Sequence, residues 1–117
     1  MNDKIKQLWI SALRSGEYSQ NQNSLRQGNS FCCLGVLCDV AIKNGVDLKI
    51  YEDDNIYFYD EACEVLPKKV IDWAELNDDN PIVEMNEDGK EGEYSLAELN
   101  DSEYNFNQIA DIIEEQL

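Results

Sequence analysis

A chain of 117 residues is long enough for one domain and too short for two, which excludes two-lobed catalytic architectures. Apolar residues make up 43% of it, so a packed core is within reach, while 25 acidic against 9 basic side chains give a net charge of -16 that argues against direct binding to DNA, RNA or anionic lipid and favours a basic partner. There is no histidine, which removes Ser-His-Asp and Cys-His catalysis and the histidine-containing zinc sites.

The first predicted element is a helix over residues 3 to 15, capped by Asn2 or Asp3, with Ile5, Leu8, Trp9, Ala12 and Leu13 at three-four spacing and Gly16 as its stop. Residues 19 to 30 are rich in Ser, Asn and Gln and read as an exposed loop or short hairpin with a turn at Gly28-Asn29. FCCLGVLCDVAIKN, residues 31 to 44, is apolar on most sides and reads as the central buried helix, ended by Gly45. LKIY and IYFYD then alternate with period two around the turn-forming EDDN, which predicts a hairpin. Leu66-Pro67 opens a third helix, with Pro67 in its first turn and Val70, Ile71, Ala74 and Leu76 as its apolar face, broken at residues 77 to 80. PIVEM and GEYSL flank an Asp88-Gly89 turn and read as a second hairpin or an irregular loop. Two capping boxes follow, Ser95 with Glu98 and Asn105 with Gln108, the second opening a helix with Phe106, Ile109, Ala110, Ile113 and Leu117 on one stripe. The expectation is one α+β domain of four to five helices and one or two hairpins.

The blocks WISALRSGEY, FCCLGVLCDVA, LPKKVIDWAEL, LAELND and FNQIADIIE, in that order, resemble a widespread family of small bacteriophage-encoded proteins of uncharacterised function. FCCLGVLCD is the most specific of them, and together they span roughly half of the chain. The resemblance implies a phage or prophage origin, a role as an accessory protein inside an infected bacterium, and no catalytic residues. The polar start MNDKIKQLW carries no signal-peptide core, and the four cysteines suit a reduced compartment, so the host cytosol is the expected location.

The charge is divided along the chain. Residues 1 to 50 hold six basic and four acidic side chains, whereas residues 51 to 117 hold three basic and twenty-one acidic ones. Because apolar residues are interleaved through the acidic half, its carboxylates are expected to decorate folded elements. The leading functional expectation is an accessory protein that acts by binding, without enzymatic activity, metal or cofactor. Its Asp53, Asp54, Asp78, Asp79, Glu87 and Asp88 would stand in for nucleic-acid phosphates on a basic host protein, with Tyr57 and Tyr59 as apolar anchors.

Two other readings arise from the basic half. Arg14, Tyr18, Gln20 and Arg26 place long hydrogen-bonding side chains beside a helix end, where the two arginines would grip a phosphate or carboxylate of a small anionic ligand and Tyr18 would stack on a base. Against this, Arg14 would cap the helix and Tyr18 cover the margin of the core. Cys32 near a helix start would be a reactive thiol if the macrodipole lowered its pKa. Zinc is disfavoured because, on one helix, Cys32 and Cys33 diverge by about 100° and Cys33 and Cys38 by about 140°. A calcium loop through Glu84, Asn86 and Asp88 lacks its closing Glu, Ser95 standing in that place.

Overall fold

The computed structural model describes residues 1–87 and 90–117, with Glu87 and Lys90 described in their backbone only, so the expected Asp88-Gly89 turn lies outside the described residues. The domain is α+β, and the described residues form five helices, a five-stranded mixed sheet and a two-stranded hairpin.

Helix α1 (Asp3–Arg14) starts where Asn2, in extended conformation, accepts the Ile5 amide on its side chain at 3.0 Å. It buries Ile5, Trp9, Ile10 and Leu13, and Gly16 turns the chain away at φ +77°. The segment read as an exposed loop or short hairpin holds three short strands, β1 (Ser19–Gln20), β2 (Arg26–Gln27) and β3 (Ser30–Phe31). Strands β2 and β3 form the hairpin around Gly28-Asn29, while β1 runs parallel to β3. Leu25 is fully buried, because its amide and carbonyl are tied to Cys63 and Cys32 and its side chain joins the core.

Helix α2 (Cys33–Lys43) packs against α1 and lies at the centre, with Leu34, Val36, Leu37 and Cys38 fully buried. Cys32 stands outside the helix as its N-cap, its sulfur accepting the Gly35 amide at 3.4 Å. Strands β4 (Ile50–Asp53) and β5 (Ile56–Tyr59) form the expected hairpin, with Asp54 and Asn55 both at positive φ, as a two-residue turn between twisted strands requires. The sheet order is β1-β3-β2-β5-β4, so β4 is an edge.

Helix α3 (Lys68–Ala74) begins just after Pro67, which stands as its N-cap and not within its first turn, and it ends at Glu75 in left-handed conformation, before the Asn77 to Asn80 break. Strands β6 (Ile82–Glu87) and β7 (Lys90–Ser95) pair antiparallel as the second hairpin. Both capping boxes are present, on α4 (Leu96–Asp101) and α5 (Phe106–Gln116). Helix α5 lies along α1, and the buried Asn100 of α4 ties three segments together by accepting from Cys33 N and Gln20 Nε2 and donating to Asn21 O.

Tyr59, expected as an exposed anchor, is fully buried, because it opens inward from β5 onto the core. Burial pushes its phenol up to about 12 against a smaller opposing pull from Arg26, and its hydroxyl has no hydrogen-bond partner among the described residues. Tyr59→Phe is therefore expected to raise the urea midpoint, by up to about 1 kcal/mol in stability, since it removes a buried unsatisfied donor. A lower midpoint would show that the hydroxyl is satisfied.

Candidate functional site

The four residues of the expected small-ligand edge each have partners inside the chain. Arg14 donates to Asp111 at 2.6 Å and Glu114 at 2.7 Å on α5, and those contacts hold its guanidinium above its ordinary pKa. Tyr18 hydrogen-bonds Asp39, receives Lys43 at 3.2 Å, and meets the Phe31 ring edge-on at 5.1 Å. Gln20 reaches Asn100 and the Tyr104 carbonyl. Arg26 lies 3.9 Å above the Tyr57 ring and 5.0 Å from Phe31, donating to the Gly28 carbonyl at 2.8 Å. Tyr18 and Arg26 thus share Phe31, whereas Arg14 is held by α5.

The cysteines are free thiols, with Cys32, Cys33 and Cys38 buried. The amides of Gly35 and Leu34 do pull Cys32 toward the thiolate, as a helix start should, but burial outweighs them and sets its pKa at about 11. Cys33 donates to the Leu96 carbonyl at 3.7 Å, while the Cys32 sulfur caps α2. Among the described residues, no group of three or more metal-ligating side chains converges.

The acidic half behaves differently. Every carboxylate of residues 51 to 117 with a described side chain is exposed except that of Asp60, which is half-buried. Asp53 ends β4, Asp54 sits in the β4–β5 turn, and Asp78 and Asp79 follow α3, all exposed. Tyr57 is half-buried beneath Arg26; the Glu87 side chain and Asp88 lie outside the described residues.

A further group of carboxylates lies on the β6–β7 hairpin. Its register sets Glu84 directly opposite Glu93 and Asn86 opposite Glu91, and directly opposed residues share a face. Val83, one position along, is buried, so the Glu84 face turns away from the core. Helix α5 supplies Glu115 and Gln116 to the same groove, of about 580 Å³. Gln116 clamps the hairpin as a neighbouring strand would, accepting the Glu84 amide and donating to the Glu84 carbonyl, both at 2.7 Å. None of Glu84, Glu91, Glu93 and Glu115 forms an ion pair among the described residues.

The whole chain, residues 1–117, matches the model of a family described as Domain of unknown function (DUF8296). The chain belongs to that family. No curated protein and no solved structure matches it. No helix among the described residues is long and apolar enough to cross a membrane.

The groove was legible in principle. Glu91 and Glu93 alternate as EGE within a strand, and alternation places both on one face. The calcium-loop reading takes alternate oxygens of this stretch as one coordination sphere, whereas Glu84 and Asn86 lie along strand β6 and Asp88 lies outside the described residues. Glu115 and Gln116 have no local signal, since only packing brings the end of α5 to the hairpin.

Proposed function

We propose that this protein acts by binding, and that the acidic groove between the β6–β7 hairpin and the end of α5 docks on a basic protein surface in place of nucleic-acid phosphates. In the setting implied by the sequence resemblance, an infected bacterium, that partner is a nucleic-acid-binding or defence protein of the host. The observation that carries the reading is the direct opposition of Glu84 and Glu93 with Glu91 and Glu115 beside them and no described cation to offset them. Like charges facing each other across a sheet are destabilising, so the free fold bears a cost that a cationic partner relieves. Exposed Asp53, Asp54, Asp78 and Asp79 extend the negative field and steer the encounter. The same field opposes small anions, which leaves the Arg14, Tyr18, Gln20 and Arg26 edge without a second observation in favour of ligand binding.

The test is affinity capture from bacterial lysate on the immobilised full chain, followed by kinetics on the isolated partner. A nucleic-acid-binding protein should be retained, released by salt and displaced by duplex DNA. Glu84→Gln, Glu91→Gln and Glu93→Gln combined should slow association about 10-fold or more. Glu93→Lys should weaken docking while stabilising the free fold by about 0.2–1 kcal/mol, a trade that separates a binding role from a folding role. Unchanged capture by the triple variant, or failure of DNA to compete, rejects the reading.

A further inference from the structure

The sheet has one open edge whose chemistry is self-complementary. Strand β4 is paired with β5 alone and packs closely on no other element, and its four residues are all exposed. The Asp60 amide donates to the Lys49 carbonyl at 2.8 Å, which makes Lys49 and Asp60 a hydrogen-bonded pair and fixes the alternation along β4. Tyr51 and Asp53 then bond inward to β5, and the amide and carbonyl groups of Ile50 and Glu52 point out of the sheet.

On one face of this edge stand Lys49, Tyr51 and Asp53, in that order. Tyr51 is 51% exposed and lies flat on Phe58, ring centroids 4.8 Å apart with planes at 3°. Ile50 is 44% exposed on the other face. Neither Lys49 nor Asp53 forms an ion pair among the described residues.

We infer that β4 is the pairing edge for a second copy of this chain. An antiparallel arrangement centred on Tyr51 places the outward-pointing Ile50 of each copy opposite Glu52 of the other, the register in which both pairs of free backbone groups bond. The same register sets Lys49 against Asp53 of the second copy twice over, and brings the two Tyr51 rings together so that the Tyr51–Phe58 stacks join across the axis. Opposite charges and aromatic rings directly across strands are the pairs that stabilise sheets. The orientation follows from the strand's own polarity, cationic before Tyr51 and anionic after it, because only reversal brings unlike charges together. Two bodies of charge -16 repel one another, so this contact is reversible and strengthens as salt screens the repulsion. That sign distinguishes it from the docking of the acidic groove on a basic protein, which salt weakens.

Sedimentation equilibrium over about 10 µM to about 1 mM protein tests it. The mass should rise with concentration from 13.4 kDa toward twice that value, and should do so more readily at about 0.5 M than at about 0.05 M NaCl. Lys49→Asp should shift the chain toward monomer. Asp53→Lys should do so too, although it makes each copy less negative, and the double variant Lys49→Asp/Asp53→Lys, at unchanged net charge, should restore the dimer. Glu52→Pro should abolish it while sparing the hairpin, since that amide makes no bond within the sheet; if the proline variant fails to fold, the charge-swap cycle alone decides. A monomer at every concentration and salt, tighter association of Asp53→Lys, a folded Glu52→Pro that still dimerises, or association weakened by salt overturns the inference.

Discussion

Gly35→Ala is expected to unfold the protein or leave it with a small fraction of its stability. By helix propensity alone the change should help, by about 1 kcal/mol, because Gly35 lies in the first turn of α2 with no positive φ. Sterics reverse the sign. A Cβ on Gly35 would overlap the carbonyl oxygen of Leu25 and stand 2.7 Å from its carbonyl carbon, both backbone atoms. Leu25 has no freedom to retreat, since its amide donates to Cys63, its carbonyl accepts from Cys32, and its side chain is fully buried. Moving α2 instead would break its contacts with α1, α3 and α4. A loss of at least about 3 kcal/mol follows, a large share of what a domain of this size has to spare. Urea denaturation read by near-UV circular dichroism would measure it. Gly45→Ala is the control: Gly45 has φ +93° with nothing within 4 Å of its missing Cβ, so only about 1 kcal/mol of stability is lost there, to backbone strain. Equal effects at the two positions would refute the close-approach argument.

Gly35 also marks where the sequence stops being readable. Its helix is plain from the apolar run around it, as are the caps at Asn2, Ser95 and Asn105, because each rests on groups three or four residues apart. The β4–β5 hairpin is legible for the same reason, its two-residue turn and period-two flanks being local. Leu25 has no such neighbours. It is buried because residues 63 and 32 bond its backbone from both sides, and the polar run around it points the other way. Tyr59 fails as an anchor on similar grounds, for alternation says that one of Tyr57 and Tyr59 faces with the other but cannot say how close the core lies.

The surface divides along the same line. That the later carboxylates are exposed follows from their interleaving with apolar residues, and the structure agrees wherever their side chains are described, apart from half-buried Asp60. Which of them are spoken for is a matter of tertiary contacts: Asp111 and Glu114 hold Arg14, Asp72 holds Lys68 and Asp60 meets Lys69, whereas Glu84, Glu91, Glu93 and Glu115 gather in the hairpin groove with no ion pair among the described residues. Arg14, Arg26 and Lys43 of the first half are engaged within the fold in the same way, whereas Lys49 stays without an ion pair among the described residues.

The second large effect expected is alkaline unfolding driven by the thiols. Burial raises Cys32 from an ordinary 9.0 to about 11 and lifts Cys33 and Cys38 well above the same starting point. Each thiol stays protonated in the fold at a pH where it would ionise in the unfolded chain, so unfolding releases protons and is favoured as pH rises. The stabilisation is complete below about pH 9 and is withdrawn progressively as the pH climbs to the folded values. For Cys32 alone, two units correspond to about 3 kcal/mol, with Cys33 and Cys38 acting in the same direction and Tyr59, raised from 10.0 to about 12, joining at the upper end. Urea midpoints should therefore fall steeply between about pH 9 and about pH 11. Cys38→Ala should lower stability at pH 7, where a small core group is lost, yet flatten the alkaline slope; Cys63→Ala, at a half-buried site with a thiol raised less, should leave most of the slope intact. A slope untouched by Cys38→Ala would mean that repulsion among the carboxylates and ionised lysine loss, rather than thiol ionisation in the unfolded chain, governs the alkaline limit. Because the same burial shields Cys32, Cys33 and Cys38 from solvent while Cys63 is only half-buried, modification by a thiol reagent at pH 7 should be confined to Cys63 until the domain opens.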